Sequence, residues 1–386
     1  MFEWYQALIV FGVAFAVVYC TVPLSKKIAV RIGAVDYPSD RRMNSSPIPR
    51  CGGISLYAGV AAACAVMAIG VHFLNWRILA FSEMQGINYV LLFIGISIMF
   101  AVGLADDITQ LSPVIKLGGQ VVSACVVVAA GISIGVIRSP FGEGFIDLEW
   151  LSFPITVIYL VAFVNVINLI DGLDGLAAGT VAIVASGLLY LIALRGASTF
   201  VLICIALISS CVAFLRYNYS PASVFMGDSG SLFLGLMIGV ISISGVVRTQ
   251  SLIAMLVPVV MAGVPILDTL SAIIRRMRGH QPIQQADVGH IHHRLMDAGL
   301  GQRKSVFILY CCSAALVIIG CFLGSMHNTF WMWVIIIALA VVLFFVIKRF
   351  GLFRPVLRHY FVNKGARGPR KPFDEETVAE KDSELP

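Results

Sequence analysis

The sequence predicts an all-α, polytopic transmembrane protein of about eleven spans, with the N-terminus outside and the C-terminus in the cytoplasm. Composition is the first ground. Of the 386 residues, 59% are hydrophobic and 12% charged, against about 25% charged in a soluble globular chain. The second is the length of the apolar runs. They continue for about 20 residues, enough to cross a hydrocarbon layer of roughly 30 Å as helices, and they lack the alternation of barrel strands. The third is the placement of positive charge. Of the 27 Lys and Arg, all but Arg77, Arg138, Arg195 and Arg248 fall in alternate connections and the C-terminal tail, which assigns that side to the cytoplasm.

The expected spans follow in order. The first, about residues 5–24, comes after Met1-Phe2-Glu3-Trp4, which lacks the basic stretch of a cleaved leader, so it reads as a retained span. The second, about 53–74, follows a basic loop, and the third, about 88–105, closes on Gly103-Leu104-Ala105-Asp106-Asp107. Lys116 opens the fourth, about 116–137. The fifth and sixth, about 151–169 and 176–194, are parted only by a short polar turn. The seventh, about 198–216, ends on Arg216, and the eighth, about 229–247, opens on Phe225-Met226-Gly227-Asp228-Ser229-Gly230-Ser231. The ninth, about 251–271, holds Asp268 near its end; the tenth and eleventh cover about 305–325 and 329–348.

Residues 1–350 therefore read as one transmembrane domain with two long cytoplasmic loops, about 25–52 and 272–304. Residues 351–386, rich in Gly, Pro, Lys and Glu, read as a largely disordered cytoplasmic tail. The nine cysteines form no CxxC spacing and lie mostly within apolar runs, so they read as small packing side chains. The net charge of +6 reflects loop bias and anionic headgroups, with no nucleic acid implied.

Outside the tail, the acids on the expected inner side are all Asp, including Asp106, Asp107, Asp171, Asp174 and Asp228. Short carboxylates at helix ends suit a hard cation such as Mg²⁺, which takes oxygen ligands and shares them with phosphates and water. Adjacent Asp106 and Asp107 point about 100° apart on a helix, so one metal is not gripped equally by both. Asn165, Asn168 and Asp171 recur every three residues and can share a helix face, which suits either ligand contact or hydrogen bonding between helices. Asp228, Ser229 and Ser231 can cap a helix, and a helix N-terminus also favours phosphate. His290, His292 and His293, with Arg294 beside them, make a donor cluster for a diphosphate; zinc is the rival, but no cysteine partner lies nearby. Lys116 can neutralise a phosphate or reach to the interface. A cation-coupled transporter is the competing class, but its acids usually lie near the midplane, within repeated halves.

GLADD, NVINLIDGLDGLAAG, FMGDSGSLFLG, PILDT and HIHHRL, in this order, resemble the motifs of the polyprenyl-phosphate N-acetylhexosamine-1-phosphate transferases. The HIHHRL form is similar to the branch that uses UDP-GlcNAc. The resemblance implies a bacterial cytoplasmic-membrane enzyme with its active site facing the cytoplasm. It would transfer HexNAc-1-phosphate from a UDP-N-acetylhexosamine to undecaprenyl phosphate and release UMP, with Mg²⁺ as cofactor and Mn²⁺ as a substitute. A homodimer is the assembly considered. On matching positions it implies that Asp106 and Asp107 handle the acceptor phosphate. Asp228 would ligate the metal, joined by Asp107 and Asp171, while Asn168 and Asp171 support the catalytic centre. Asp174 and Phe225 would contact uracil, and His290, His292, His293 and Arg294 would hold sugar or diphosphate. Lys116 and Arg50 complete the expected substrate contacts. Asn44 stands where many relatives carry His.

Overall fold

The computed structural model describes residues 3–37, 47–76, 86–138, 145–194, 198–245, 252–278, 291–297, 299–326 and 328–350. His290, Asn44 and the 351–386 tail lie outside these residues.

Helix α1 (Trp4–Arg31) starts at a capping box in which Glu3 and Gln6 satisfy each other's backbone, and runs to a pair of two-residue strands, β1 (Val35–Asp36) and β2 (Ile48–Pro49). Then come α2 (Gly53–Phe73), α3 (Tyr89–Thr109) and α4 (Pro113–Ala129). Side-chain caps set two starts: Asn88 accepts from the Leu91 N–H, and Ser112 from Ile115 with Pro113 behind it. A hairpin of β3 (Val136–Arg138) and β4 (Phe145–Asp147) leads through a short 3₁₀ turn into α5 (Ser152–Ile170). The remainder is helical: α6 (Leu176–Leu194), α7 (Ser198–Asn218), α8 (Gly227–Gly245), α9 (Leu252–Met261), α10 (Gly263–Arg278), α11 (Ile291–Asp297), α12 (Gln302–Ser325) and α13 (Thr329–Phe350).

Nine of the helices among the described residues are long and apolar enough to cross a membrane, which makes this a multi-pass membrane protein. The expected eleven meet two differences. The fourth is a shorter helix, Pro113–Ala129. The ninth is broken: α9 carries Pro258 inside it and ends at Met261, and α10 begins at Gly263.

Helix α8 is the hub. In its most apolar stretch 94% of residues are buried, whereas the corresponding stretch of α13 has none fully buried and rests on the core by one side, through Trp333, Ile335 and Ile336. Hydrocarbon solvates apolar side chains as well as a neighbouring helix does, so close backbone contact must do the packing. Glycines allow it. A Cβ on Gly53 would meet the backbone of Ser229 and Gly230; one on Gly103, the backbone of Asp228; one on Gly235, the backbone of Val164. These crossings bring α2, α3 and α5 onto α8. Interhelical polar contacts add register: Tyr57 to Ser97 at 2.7 Å, Tyr159 to Ser242 at 3.0 Å, and Ser123 to the Gly95 carbonyl at 2.7 Å.

Candidate active site

The ends of α3 and α5 and the starts of α2, α4 and α8 meet at one end of the bundle. Asp107, 3% exposed at the last turn of α3, reaches the first turn of α8. Its Oδ1 accepts the Asp228 N–H at 2.8 Å and Arg50 at 3.2 Å; its Oδ2 accepts the Ser229 N–H at 3.0 Å and the Ser229 hydroxyl at 2.6 Å. A carboxylate on these orphan N–H groups is an N-cap supplied from another helix. Gly227 makes room for it. Its φ is +68°, and a Cβ there would run into both Asp107 oxygens and the Arg50 carbonyl.

Arg50 is held by backbone pairing. Its N–H donates to the Ala34 carbonyl at 3.0 Å. On either side, Phe225 N–H donates to Pro49, Gly52 N–H to Phe225 and Gly53 N–H to Met226, at 2.8, 2.9 and 2.8 Å. Residues 49–53 and 225–226 thus form one stretch of paired backbone. Cys51 lies buried within it; burial, the Asp107 charge adding to it and Arg50 opposing, pushes its thiol up to about 12.

Lys116 bridges the other pair of acids. Its Nζ contacts Asp106 Oδ2 at 3.4 Å and pairs with Asp228 Oδ2. Asp106 also accepts the Leu111 N–H at 2.9 Å, which closes the α3–α4 connection. The adjacent aspartates therefore divide as their helical angle predicts: Asp107 faces α8, and Asp106 faces Lys116.

Asp171 caps the C-terminal end of α5, and among the described residues none donates a hydrogen bond to its carboxylate. Part of the residue is accessible, but most of its surroundings are protein. That burial pushes its carboxyl up to about 7, with the Asp107 charge in the same direction, Arg50 opposing and Asp174 adding.

The Asn165–Asn168–Asp171 row is divided between neighbours. Asn165 donates to Gln120 of α4 at 2.7 Å, and Asn168 to Ser231 of α8 at 2.9 Å. Both amide nitrogens therefore make helix contacts, one of the two readings of this row, while the amide oxygens are not used in these bonds. Asp174, expected at uracil, has a carboxylate oxygen on the Ala222 N–H at 2.9 Å, which ties the α5–α6 turn to the α7–α8 loop. Phe225 is half-buried beside Arg50 in the paired backbone. His292, His293 and Arg294 lie on α11, whose first N–H, from Ile291, donates to the buried Asp268 of α10 at 2.8 Å. Sequence reading missed Asn218. Buried at the end of α7, it accepts the Gly175 N–H at 3.0 Å and donates to the Val224 carbonyl at 2.9 Å. Its signal was a lone amide at an apolar helix end.

Does this set fit Mg²⁺? Among the described residues no three acid, His or Cys side chains converge as a ready-made cage. Asp107 has all four lone-pair positions filled by hydrogen bonds, so in this arrangement it is an anchor for α8 without a free position for a metal. Asp228 and Asp171 retain oxygens for a cation. Formal charges of Asp106, Asp107, Asp171 and Asp228 against Arg50 and Lys116 leave the cluster two negative, the charge one divalent cation cancels. Hard oxygens from one or two carboxylates, completed by phosphates, are how Mg²⁺ is usually held. The residues fit the ion.

Residues 89–246 match the family model described as Glycosyl transferase family 4. The chain is 36% identical over 92% of its length to the Bacillus subtilis protein named probable undecaprenyl-phosphate N-acetylglucosaminyl 1-phosphate transferase, covering 96% of that protein. It is 33% identical to the decaprenyl-phosphate N-acetylglucosaminephosphotransferase of Mycolicibacterium smegmatis, over 73% of each chain. It is 26% identical to the undecaprenyl-phosphate alpha-N-acetylglucosaminyl 1-phosphate transferase of Salmonella typhi, over 77% of this chain and 78% of that one. With its GLADD, NVINLID and FMGDSG segments meeting at one charged cluster and a relative matched almost end to end, the chain belongs to glycosyl transferase family 4, among the polyprenyl-phosphate N-acetylhexosamine-1-phosphate transferases.

Proposed function

We propose that the protein transfers GlcNAc-1-phosphate from UDP-GlcNAc to undecaprenyl phosphate, giving undecaprenyl-diphospho-GlcNAc and UMP, at the cytoplasmic face of a bacterial inner membrane. The observation that carries this reading is Lys116 held between Asp106 and Asp228, with Arg50 held on Asp107, the residue next to Asp106. Two anionic substrates must meet, and these are cations already placed among carboxylates that hold them still.

Phosphoryl transfer needs alignment and charge neutralisation more than covalent help. The acceptor phosphate is ionised near neutral pH, so it attacks without a base. Lys116 exchanges part of its carboxylate contact for that phosphate, and Asp106 positions the ammonium. A bond forms between the acceptor oxygen and the β-phosphorus, the bond to the bridging oxygen breaks, and UMP leaves with the electron pair. Asp107, paired with Arg50, holds the Asp228 N–H and keeps Asp228 in place while this happens. Mg²⁺, held by Asp228 and Asp171, would neutralise the diphosphate and improve the leaving group; Mn²⁺ would be a substitute. His290, His292, His293 and Arg294 would contact the donor's sugar or diphosphate, and Phe225 its base.

The test is UMP release by purified protein in detergent with undecaprenyl phosphate and a panel of UDP-N-acetylhexosamines, with and without Mg²⁺. Turnover best with UDP-GlcNAc and abolished by chelation is expected. No turnover with any donor would sink the proposal. Fusing reporters to each terminus checks the orientation: the C-terminus inside, the N-terminus outside.

A further inference from the structure

Helix α12 carries none of the residues discussed above, yet it grips two of the site's connections. The Tyr310 hydroxyl donates to the Gly175 carbonyl at 2.6 Å. That carbonyl already accepts the Gly179 N–H at 2.9 Å, so the tyrosine is not needed to satisfy it. The bond instead fixes where the turn lies. Gly175 has φ +79°, and its N–H is held by Asn218. The α6 sequence leaves a notch for the phenol, because a Cβ on Gly179 would meet the ring and hydroxyl of Tyr310.

At the start of α12, Arg303 Nε donates to the Ser220 carbonyl at 2.9 Å, and Gln302 accepts the Ser220 hydroxyl at 3.4 Å. Ser220 lies two residues before Ala222, whose N–H is on Asp174. One helix therefore holds both the 171–175 turn, with Asp171 and Asp174, and the loop that leads into Phe225 and Asp228. The Asp106–Lys116 side of the site rests on α3 and α4 and, among the described residues, receives no such hydrogen bond from α12.

We propose that Tyr310 and Arg303 are positioning residues for the nucleotide-sugar half of the reaction: they fix the turn and the loop against one another and so set where the donor lies. The inference rests on the function proposed above. It separates the two substrates, because the acceptor's contacts stand on helices that α12 does not hold.

Tyr310→Phe removes only the hydroxyl and leaves the ring in its notch. Arg303→Gln removes the Nε donor from an exposed position. Each full-length variant is assayed in detergent with UDP-GlcNAc and undecaprenyl phosphate, varying one substrate at a time. The KM for UDP-GlcNAc is expected to rise about two- to tenfold per lost hydrogen bond, with the acceptor KM moving less than about twofold and the melting temperature held. An unchanged donor KM, or both KM values and the melting temperature moving together, overturns the inference alone. Absence of turnover in the wild type overturns the functional reading and the inference with it.

Discussion

Asp107 and Ser229 are joined twice through one oxygen: Asp107 Oδ2 accepts the Ser229 N–H at 3.0 Å and the Ser229 hydroxyl at 2.6 Å. The residues come from different helices, and the contact makes the end of α3 the cap of α8. An acid that resembles a reacting group thus fixes the helix that presents Asp228.

Replacing Asp107 with Asn turns one acceptor oxygen into a donor facing other donors. Asp107→Asn is expected to cost about 1–3 kcal/mol of stability, read as a lower melting temperature. Turnover should fall at least about 100-fold, because Asp228 moves with the helix start.

Gly227→Ala should do similar damage by another route. The residue sits at φ +68°, and the methyl group would enter the space of the Asp107 carboxylate. Turnover is expected to drop on the order of 100-fold. Gly12→Ala is the control: nothing lies within 4 Å of a Cβ there, and activity should be unchanged.

Lys116→Gln leaves Asp106 and Asp228 facing each other without a cation. Its kcat is expected to fall about 100- to 1000-fold, as when a charge-stabilising donor is lost. Lys116→Arg keeps the charge on a longer, planar group and should recover part of it. Steady-state kinetics at saturating donor separate the two.

Asp171 predicts an opposition between stability and activity. Its folded-state pKa, near 7, lies above the unfolded value of 3.8, so ionisation disfavours the folded state. In chelator, the wild type should gain stability as pH falls from about 7 towards about 4. Asp171→Asn should melt higher than the wild type at pH 8, by at least about 2 °C, and the difference should shrink as pH falls to about 4. It should also lose turnover. Equal melting temperatures at pH 8 would contradict this.

Much of the bundle was legible because hydrocarbon demands long apolar runs and internally satisfied backbone. Asp106 and Asp107 were readable as a divided pair from helix geometry alone. The contact of Asp174 with Ala222 was not readable, since its partner is an N–H that any residue could offer. Tyr310 and Arg303 gave no signal either; their partners are carbonyls of Gly175 and Ser220, and backbone atoms leave no trace in residue identity. The break at Pro258 to Gly263 lay inside an apolar run long enough to span unbroken.

The glycine crossings bear on how such a chain can change over evolutionary time. At Gly53, Gly103 and Gly227 the site is assembled by backbone touching backbone or carboxylate, so no compensating substitution nearby can readmit a side chain. Lineages altering sugar preference would have to leave this floor intact and vary the surrounding loops. The lipid-facing surface of α13 can drift freely as long as it stays greasy.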